Sequence, residues 1–108
     1  MLTEFQADMV VLMLSRAMKC SLDDLRGPDQ SQQFTGCRCR ASRFLRDCGM
    51  SLPAIGIAMN RCHTTILYRL RMAAEYPPVI LPADEAELVT AWVTANGGKP
   101  LATVEDAA

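Results

Sequence analysis

Apolar residues recur at helical spacing through almost the whole chain, and residues that stop helices divide this pattern into short pieces. Phe5, Met9, Leu12 and Met13 follow the i, i+4, i+7, i+8 order, which is typical of one face of a helix. No stretch of useful length shows the alternation of a β-strand. The sequence therefore predicts an all-α fold, a compact domain of about five to six helices.

Capping and stopping residues set the expected bounds of these helices. Thr3, Ser21 and Ser51 are typical N-cap residues, whereas Gly and Pro-Pro stretches end helices. Pro53 fits the first turn of the fourth helix, where its missing N–H costs nothing. We expect helices over about residues 3–18, 22–26, 37–48, 51–59, 62–75 and 83–95, a loop over 27–36 and an extended stretch over 79–82.

The 108 residues allow one small domain. We expect a helical domain over 1–76, an extension with an acidic amphipathic helix over 77–96, and a flexible tail over 97–108. The longest apolar run, Met9–Leu14, is far shorter than the ~20 residues that span a bilayer. The first residues lack the basic region of a secretory signal. These features predict a cytoplasmic protein with no membrane contact.

Charge is unevenly distributed along the chain. The whole chain carries a net charge of −1, but residues 16–71 hold ten basic residues against four acidic ones, a net +6. Residues 1–15 carry −2 and residues 72–108 carry −5. A basic segment between acidic ends is a candidate footprint for phosphate backbones.

The five cysteines do not have the spacing of a typical metal site. Paired C-x2–4-C motifs, which present two thiolates from one turn, are absent from the sequence. The count is odd, so a disulfide framework is not expected. Cys48 and Cys62 fall at expected helical core positions, where free cysteine packs as a small hydrophobe. We therefore predict no metal and no cofactor.

Two short helices over 51–75, separated by about three residues, have the sequence form of a helix-turn-helix. In this motif the N-terminal end of the second helix enters the major groove of DNA. That end here is Cys62-His63-Thr64-Thr65, whose small polar side chains can reach base edges. Thr64, Thr65, Tyr68 and Arg71 fall on the side away from the apolar stripe formed by Ile66, Leu67, Leu70, Ala73 and Ala74.

Two motifs in this region carry a resemblance to a known family. The chain has Ser-Leu-Pro-Ala-Ile-Gly over 51–56 and Asn-Arg-Cys-His-Thr-Thr-Ile-Leu over 60–67. Residues from about 9 to 75 thereby resemble the C-terminal DNA-binding domain of the bacterial replication initiator DnaA. Free-standing domains of this kind occur as DNA-binding regulators in phages and gene-transfer elements. The resemblance implies a helix-turn-helix fold like those of that domain and of the tryptophan repressor.

The resemblance also implies roles for individual residues. His63 and Thr64 would read bases, with Cys62 beside them, while Thr65 and Arg61 would hold nearby base or phosphate edges. Leu52 and Pro53 match the backbone-contacting start of the first helix of the pair. Arg46 matches a phosphate-contacting position, and Arg26, Arg38 and Arg40 are the nearest candidates for a minor-groove arginine. Together with the basic stripe of the third helix, the expected backbone contacts are Arg61, Leu52, Pro53, Arg38, Arg40, Arg43, Arg46, Tyr68 and Arg71.

The chain departs from the family pattern in ways that predict a different target sequence. Cys62 stands where the family has an aspartate that can accept from cytosine. Ala54 replaces a capping glutamate, and uncharged residues replace most of the basic loop. No P-loop motif occurs, so no ATPase activity is expected. We expect a non-enzymatic, sequence-specific double-stranded DNA-binding protein of the bacterial nucleoid that regulates transcription, or alternatively binds a replication site.

The acidic helix near the C-terminus offers a second kind of surface. Leu88, Val89, Trp92 and Val93 share one stripe of this helix, which can complete the core of the domain or bind a protein partner or a second copy. A protein-interaction module that kept the scaffold but lost its operator is thus a competing hypothesis. A zinc-binding or thiol enzyme is a third. Neighbours such as Cys62 and His63 point about 100° apart on a helix, which disfavours that reading.

Overall fold

The computed structural model describes residues 1–28, 32–98 and 101, and this part of the chain is all-α. The predicted fold class is confirmed. The helices are α1 (Glu4–Ala17), α2 (Leu22–Arg26), α3 (Thr35–Asp47), α4 (Leu52–Met59), α5 (His63–Met72) and α6 (Ala83–Ala95), with short 3-10 segments at Gln32–Phe34 and Ala73–Glu75.

The three predicted N-caps are confirmed. Thr3 Oγ1 accepts from the amide of Gln6 at 3.0 Å, and the Gln6 side chain accepts from the Thr3 amide at 3.1 Å. Ser21 forms the same reciprocal pair with Asp24. Ser51 Oγ accepts from the Ala54 amide at 3.3 Å. These side chains satisfy amides that have no partner within their helices, which fixes where α1, α2 and α4 begin.

The third helix begins earlier than the sequence predicts. α3 starts at Thr35, and the preceding 3-10 segment lies inside the stretch expected to be a loop. Tyr76 packs directly on Gly36, where a Cβ would lie 2.9 Å from the Tyr76 ring. This contact between distant parts of the chain extends α3 into polar sequence, because tertiary packing overrides weak local propensity.

One continuous core joins all six helices of the described chain. Val10, Val11 and Leu14 of α1 are fully buried among residues of the other helices. The extended stretch before α6 buries Val79 and Leu81 in the same cluster. Residues 77–96 therefore share the core of residues 1–76 rather than forming a separate unit. Of the expected tail, only 97, 98 and 101 lie within the described residues, and Leu101 packs against the core.

Some residues expected in the core are exposed. Phe5 is 70% exposed, because α1 turns Ala7, Val10 and Leu14 inward instead. Leu67 of α5 and Ala74 of the 3-10 segment that follows it face outward, whereas Arg69 of α5 is buried. Both helices carry apolar residues on more than one face, and periodicity alone does not choose between neighbouring faces.

Two ion pairs tie α1 to the rest of the fold. Arg26 bridges Asp8 of α1 at 2.8 Å and also donates to the Ala58 carbonyl of α4 at 2.8 Å. Arg16 bridges Glu85 at the start of α6 at 2.9 Å.

Within the described chain, no helix is both long and apolar enough to cross a membrane.

Candidate nucleic-acid interface

A tight turn connects α4 to α5. Asn60 adopts the left-handed conformation (φ 57°, ψ 47°), and the Arg61 amide donates to the Gly56 carbonyl at 2.8 Å. A Cβ at Gly56 would lie 2.5 Å from the Arg61 carbonyl oxygen. Only glycine allows the chain to fold back this closely onto α4. Gly56 and Asn60 together therefore set the orientation of α5 relative to α4.

The helix pair is held rigidly from behind. Ile55 and Met59 of α4 and Ile66 of α5 are fully buried, and both helices pack against α3. This arrangement of a short helix, a three-residue connection and a second helix is that expected of a helix-turn-helix. Packing of this kind leaves the N-terminal end of α5 at the surface while its middle is fixed in the core.

The N-terminal end of α5 carries the four predicted base-contacting residues. Cys62, His63 and Thr64 are exposed, and Thr65 is half-buried. The structure thus brings these short polar side chains together at one accessible helix end. Their positions are compatible with the predicted role, since a side chain that reads bases must be reachable by a duplex.

Cys62 occupies the N-cap position of α5 and is exposed, so its expected core position is wrong. Its Sγ lies 3.0 Å from Thr64 Oγ1 and 3.4 Å from Thr65 Oγ1. Hydrogen bonds from Thr64 and then Thr65 lower the pKa of the Cys62 thiol from 9.0 to about 6. Hydroxyls that donate to a thiolate favour its charged form, which is the direction of this shift.

An exposed stripe continues from this end along α5. It includes Tyr68, which is 59% exposed, and Leu67, which is 38% exposed. Arg71 ends the stripe at the surface. Leu67 was expected to face inward, so sequence analysis missed it as a surface residue. Leu67 lies three residues after Thr64, so the two side chains share one face of the helix. This spacing could have identified Leu67 as a surface residue.

The arginines of α3 differ in how free they are to contact a ligand. Arg43 is exposed and pairs with Asp47 at 3.3 Å. Arg46 is exposed, but its Nη1 donates to the Met50 carbonyl at 2.8 Å. Arg40 is half-buried and donates through Nε to the Pro77 carbonyl at 2.7 Å. Surface ion pairs exchange easily, so Arg43 is the most available of the three.

Two predicted phosphate contacts are corrected by the structure. Arg38 is only 5% exposed and donates through Nε to the Asp24 carbonyl at 2.8 Å. Arg61 is half-buried and turns its guanidinium toward the carbonyls of Arg26, Gly27 and Asn60. Both side chains bind the end of α2 because its last carbonyls need donors. Arg26 pairs with Asp8 and also donates to the Ala58 carbonyl, and its role as a minor-groove arginine stays a prediction.

The start of α4 is partly accessible. Pro53 is exposed and Leu52 is half-buried, with Leu52 packed against the core. Backbone contact with DNA through the first turn of α4 remains a prediction for these two residues.

The apolar stripe of α6 is mostly used within the chain, so of the two predicted roles the structure bears out completion of the core, and the partner-surface alternative loses three of its four residues. Val89 and Val93 are buried in the common core, and Trp92 packs against it. Leu88 alone of the four is exposed, at 44%. The stripe completes the core because α6 lies against α1, an arrangement that the sequence left open.

Metal-binding geometry does not occur in the described part of the chain. No group of three His, Cys, Asp or Glu side chains within residues 1–28 and 32–98 could hold a metal ion. Cys48 and Cys39 are buried, and burial raises the pKa of the Cys48 thiol to about 12. Such a thiol stays protonated and packs as an apolar group.

Comparison with known proteins gives no further assignment: neither the protein-family models nor the curated protein sequences include a match to this chain. The resemblance carried by residues 51–56 and 60–67 thus stays a hypothesis.

Proposed function

We propose that the chain is a sequence-specific double-stranded DNA-binding protein that regulates transcription and places the N-terminal end of α5 in the major groove. One observation carries the proposal: Cys62, His63 and Thr64 stand exposed at the end of a helix whose inner face is buried at Ile66 and Arg69. Short polar side chains at such an end can form hydrogen bonds with base edges. The resemblance of the two motifs to the DnaA DNA-binding domain supports the same placement.

Phosphate contacts would come from fewer arginines than the charge count suggests. Arg43 and Arg71 are exposed and could reach a duplex, whereas Arg38 and Arg61 are engaged inside the chain. Each phosphate contact contributes about 0.9 to the slope of log affinity against log salt. We therefore propose a modest salt dependence, with slope reduced by roughly one unit in Arg43→Ala or Arg71→Ala.

Selection of bound duplexes from a random pool, followed by sequencing, tests this function. Wild-type protein should enrich a common sequence that binds at least ~10³-fold tighter than random duplex. The exposed α6 variant Glu87→Ala is the matched control and should enrich the same sequence. His63→Ala and Thr64→Ala should each lose part of that preference. Absence of any enriched sequence with folded wild-type protein would contradict the proposal.

A protein-interaction module is the second candidate, because a specific observation favours it. Ile57 of α4 is 71% exposed, and Tyr68 and Leu67 of α5 are exposed apolar or aromatic residues. These are side chains that protein interfaces bury. Failure to bind any duplex at ~50 mM salt, where phosphate contacts are strong, would favour this candidate over the first. A replication-site binding role differs from transcriptional regulation only in the location of the selected sequence.

A further inference from the structure

Two arginines from separate elements donate to carbonyls of α2, and a third lies near enough to be affected by their charges. Arg38 of α3 donates to the Asp24 carbonyl at 2.8 Å, and Arg61 donates to the Arg26 carbonyl at 3.2 Å. These carbonyls belong to the same short helix, so the two guanidiniums lie close together. Arg69 on the inner face of α5 is the third. Burial, followed by the charges of Arg61 and Arg38, lowers the pKa of Arg69 from 12.5 to about 10.

We call Arg38, Arg61 and Arg69 the arginine triad. None of the three takes part in the ion pairs formed among the described residues. Arg38 and Arg69 are only 5% and 8% exposed. Buried guanidiniums are almost always paired with an anion, because removing an unpaired charge from water is costly. The triad thus concentrates positive charge that the described carboxylates do not neutralise.

Two donors of the triad are left without a partner. Arg38 Nη2 and Arg69 Nη1 are buried and make no hydrogen bond to the described residues. The carbonyls at the end of α2 satisfy Arg38 Nε and part of Arg61, but they do not reach these two atoms. A buried donor in a native protein nearly always has a hydrogen-bond partner, and a bound ion can be that partner.

We propose that the arginine triad binds a small free oxyanion of the phosphate type. Guanidinium groups match tetrahedral oxyanions through paired N–H donors, and Arg38 Nη2 and Arg69 Nη1 supply the free donors. A duplex phosphate is a poor candidate, because Arg38 and Arg69 are more than nine-tenths buried. The bound anion would link Arg38 of α3 to Arg69 of α5 and thus stabilise the packing of these two helices. This site does not depend on DNA binding.

Thermal unfolding of the full chain in inorganic phosphate tests the site. Wild-type Tm should rise saturably in phosphate relative to chloride at equal ionic strength, by about 4–8 °C once phosphate exceeds its Kd about fivefold. Arg69→Gln and Arg38→Gln should abolish this rise. Arg71→Gln, an exposed arginine on the same helix, is the matched control and should retain it.

Two results would overturn the proposal. One is the absence of a saturable rise in wild-type protein, which needs no variant to fold. The other is an equal rise in wild type and in a folded triad variant, since phosphate also stabilises proteins generally by exclusion from their surface.

A carboxylate of the chain itself is the competing occupant, and Asp29→Asn distinguishes it. Asp29 is the acid nearest in sequence to Gly27 and lies outside the described residues. The proposal expects Asp29→Asn to keep the phosphate-dependent rise. A rise that appears only in Asp29→Asn would show that the chain neutralises its own triad and would overturn the site. Because Tm is measured without DNA, this failure is separate from failure of the proposed function.

Discussion

The sequence offers both α5 and α6 as binding elements, but the two helices differ in which of their residues the structure leaves exposed. α5 exposes the short polar residues Cys62, His63 and Thr64 at its N-terminal end. α6 buries Val89 and Val93 in the core shared with α1. The apolar stripe of α6 is mostly buried within the chain, whereas the small polar residues at the N-terminal end of α5 are accessible to a ligand. The comparison favours α5 over α6 as the binding element.

The largest expected effect comes from the turn that orients α5. Gly56→Ala places a Cβ 2.5 Å from the Arg61 carbonyl oxygen, so we expect the free energy of unfolding to fall by about 3 kcal/mol. Urea unfolding measures this loss. Gly49→Ala is the control, because Gly49 has φ +89° but open space around it, and should cost about 1 kcal/mol. Equal losses in the two variants would show that the turn does not need glycine.

The next effect tests whether α6 belongs to the core. Val93→Ala removes buried methyl groups and should lower the free energy of unfolding by about 2 kcal/mol, without changing duplex affinity of the folded protein. Leu88→Ala, one turn away and exposed, should stay within about 0.5 kcal/mol of wild type. Denaturant unfolding and mobility shift measure the two properties. A drop in duplex affinity for Leu88→Ala would reverse the comparison between the helices.

Substitutions at the exposed end of α5 should separate recognition from stability. His63→Ala and Thr64→Ala should each cost about 1–2 kcal/mol of preference for the selected duplex over random duplex. His63→Ala should unfold within about 0.5 kcal/mol of wild type, because its side chain is exposed. Thr64→Ala also removes the hydroxyl that lies 3.0 Å from Cys62 Sγ, so its preference is compared with wild type only after its stability has been measured. Competition binding measures the preference. Destabilisation without loss of preference would mean that the two residues are structural.

The smallest effect concerns the charge of Cys62. Its pKa is lowered to about 6, so the thiol loses its negative charge as pH falls through 6. Removing a negative charge close to phosphates should raise duplex affinity by up to about fivefold. Cys62→Ser lacks this titration and should remove that part of the pH dependence. Binding of wild type and Cys62→Ser across pH 5–8 provides the measurement, and identical profiles would contradict the role of the thiolate.

Stability should follow the same titration with a definite sign. The folded-state pKa of Cys62 lies below that of an ordinary thiol, so the unfolded chain binds more protons between about pH 6 and 9. The stabilisation of the folded state that comes from the Cys62 thiolate is therefore fully present above pH 9 and is lost as the pH falls through 6. Cys62→Ser removes it, which unfolding at several pH values would reveal.

The sequence predicts a feature correctly where a local rule allows only one position for it, as it does for the N-caps. Thr3, Ser21 and Ser51 are caps because their side chains bond amides three residues away. The prediction is wrong where two faces of one helix compete. Ile66 and Ala73 are buried as predicted, but Arg69 is buried as well. Leu67 and Ala74, which a rule that puts charge outside favours for the interior, are exposed.

The candidate site was predicted only in part, for a similar reason. The N-terminal residues of α5 follow from motif spacing, and three of the four are exposed. Whether an arginine is free to contact a ligand depends on which backbone carbonyls lie close to its guanidinium. Arg38 and Arg61 donate to the end of α2, a partner distant in sequence that composition and charge counts do not reveal.

An NMR titration of the isotope-labelled chain with its selected duplex tests the central claim most directly. We predict saturable amide shifts concentrated at residues 62–65 and near Arg71, with residues 84–95 of α6 unchanged. Saturable shifts confined to α6, with those of residues 62–65 unmoved, would contradict the account.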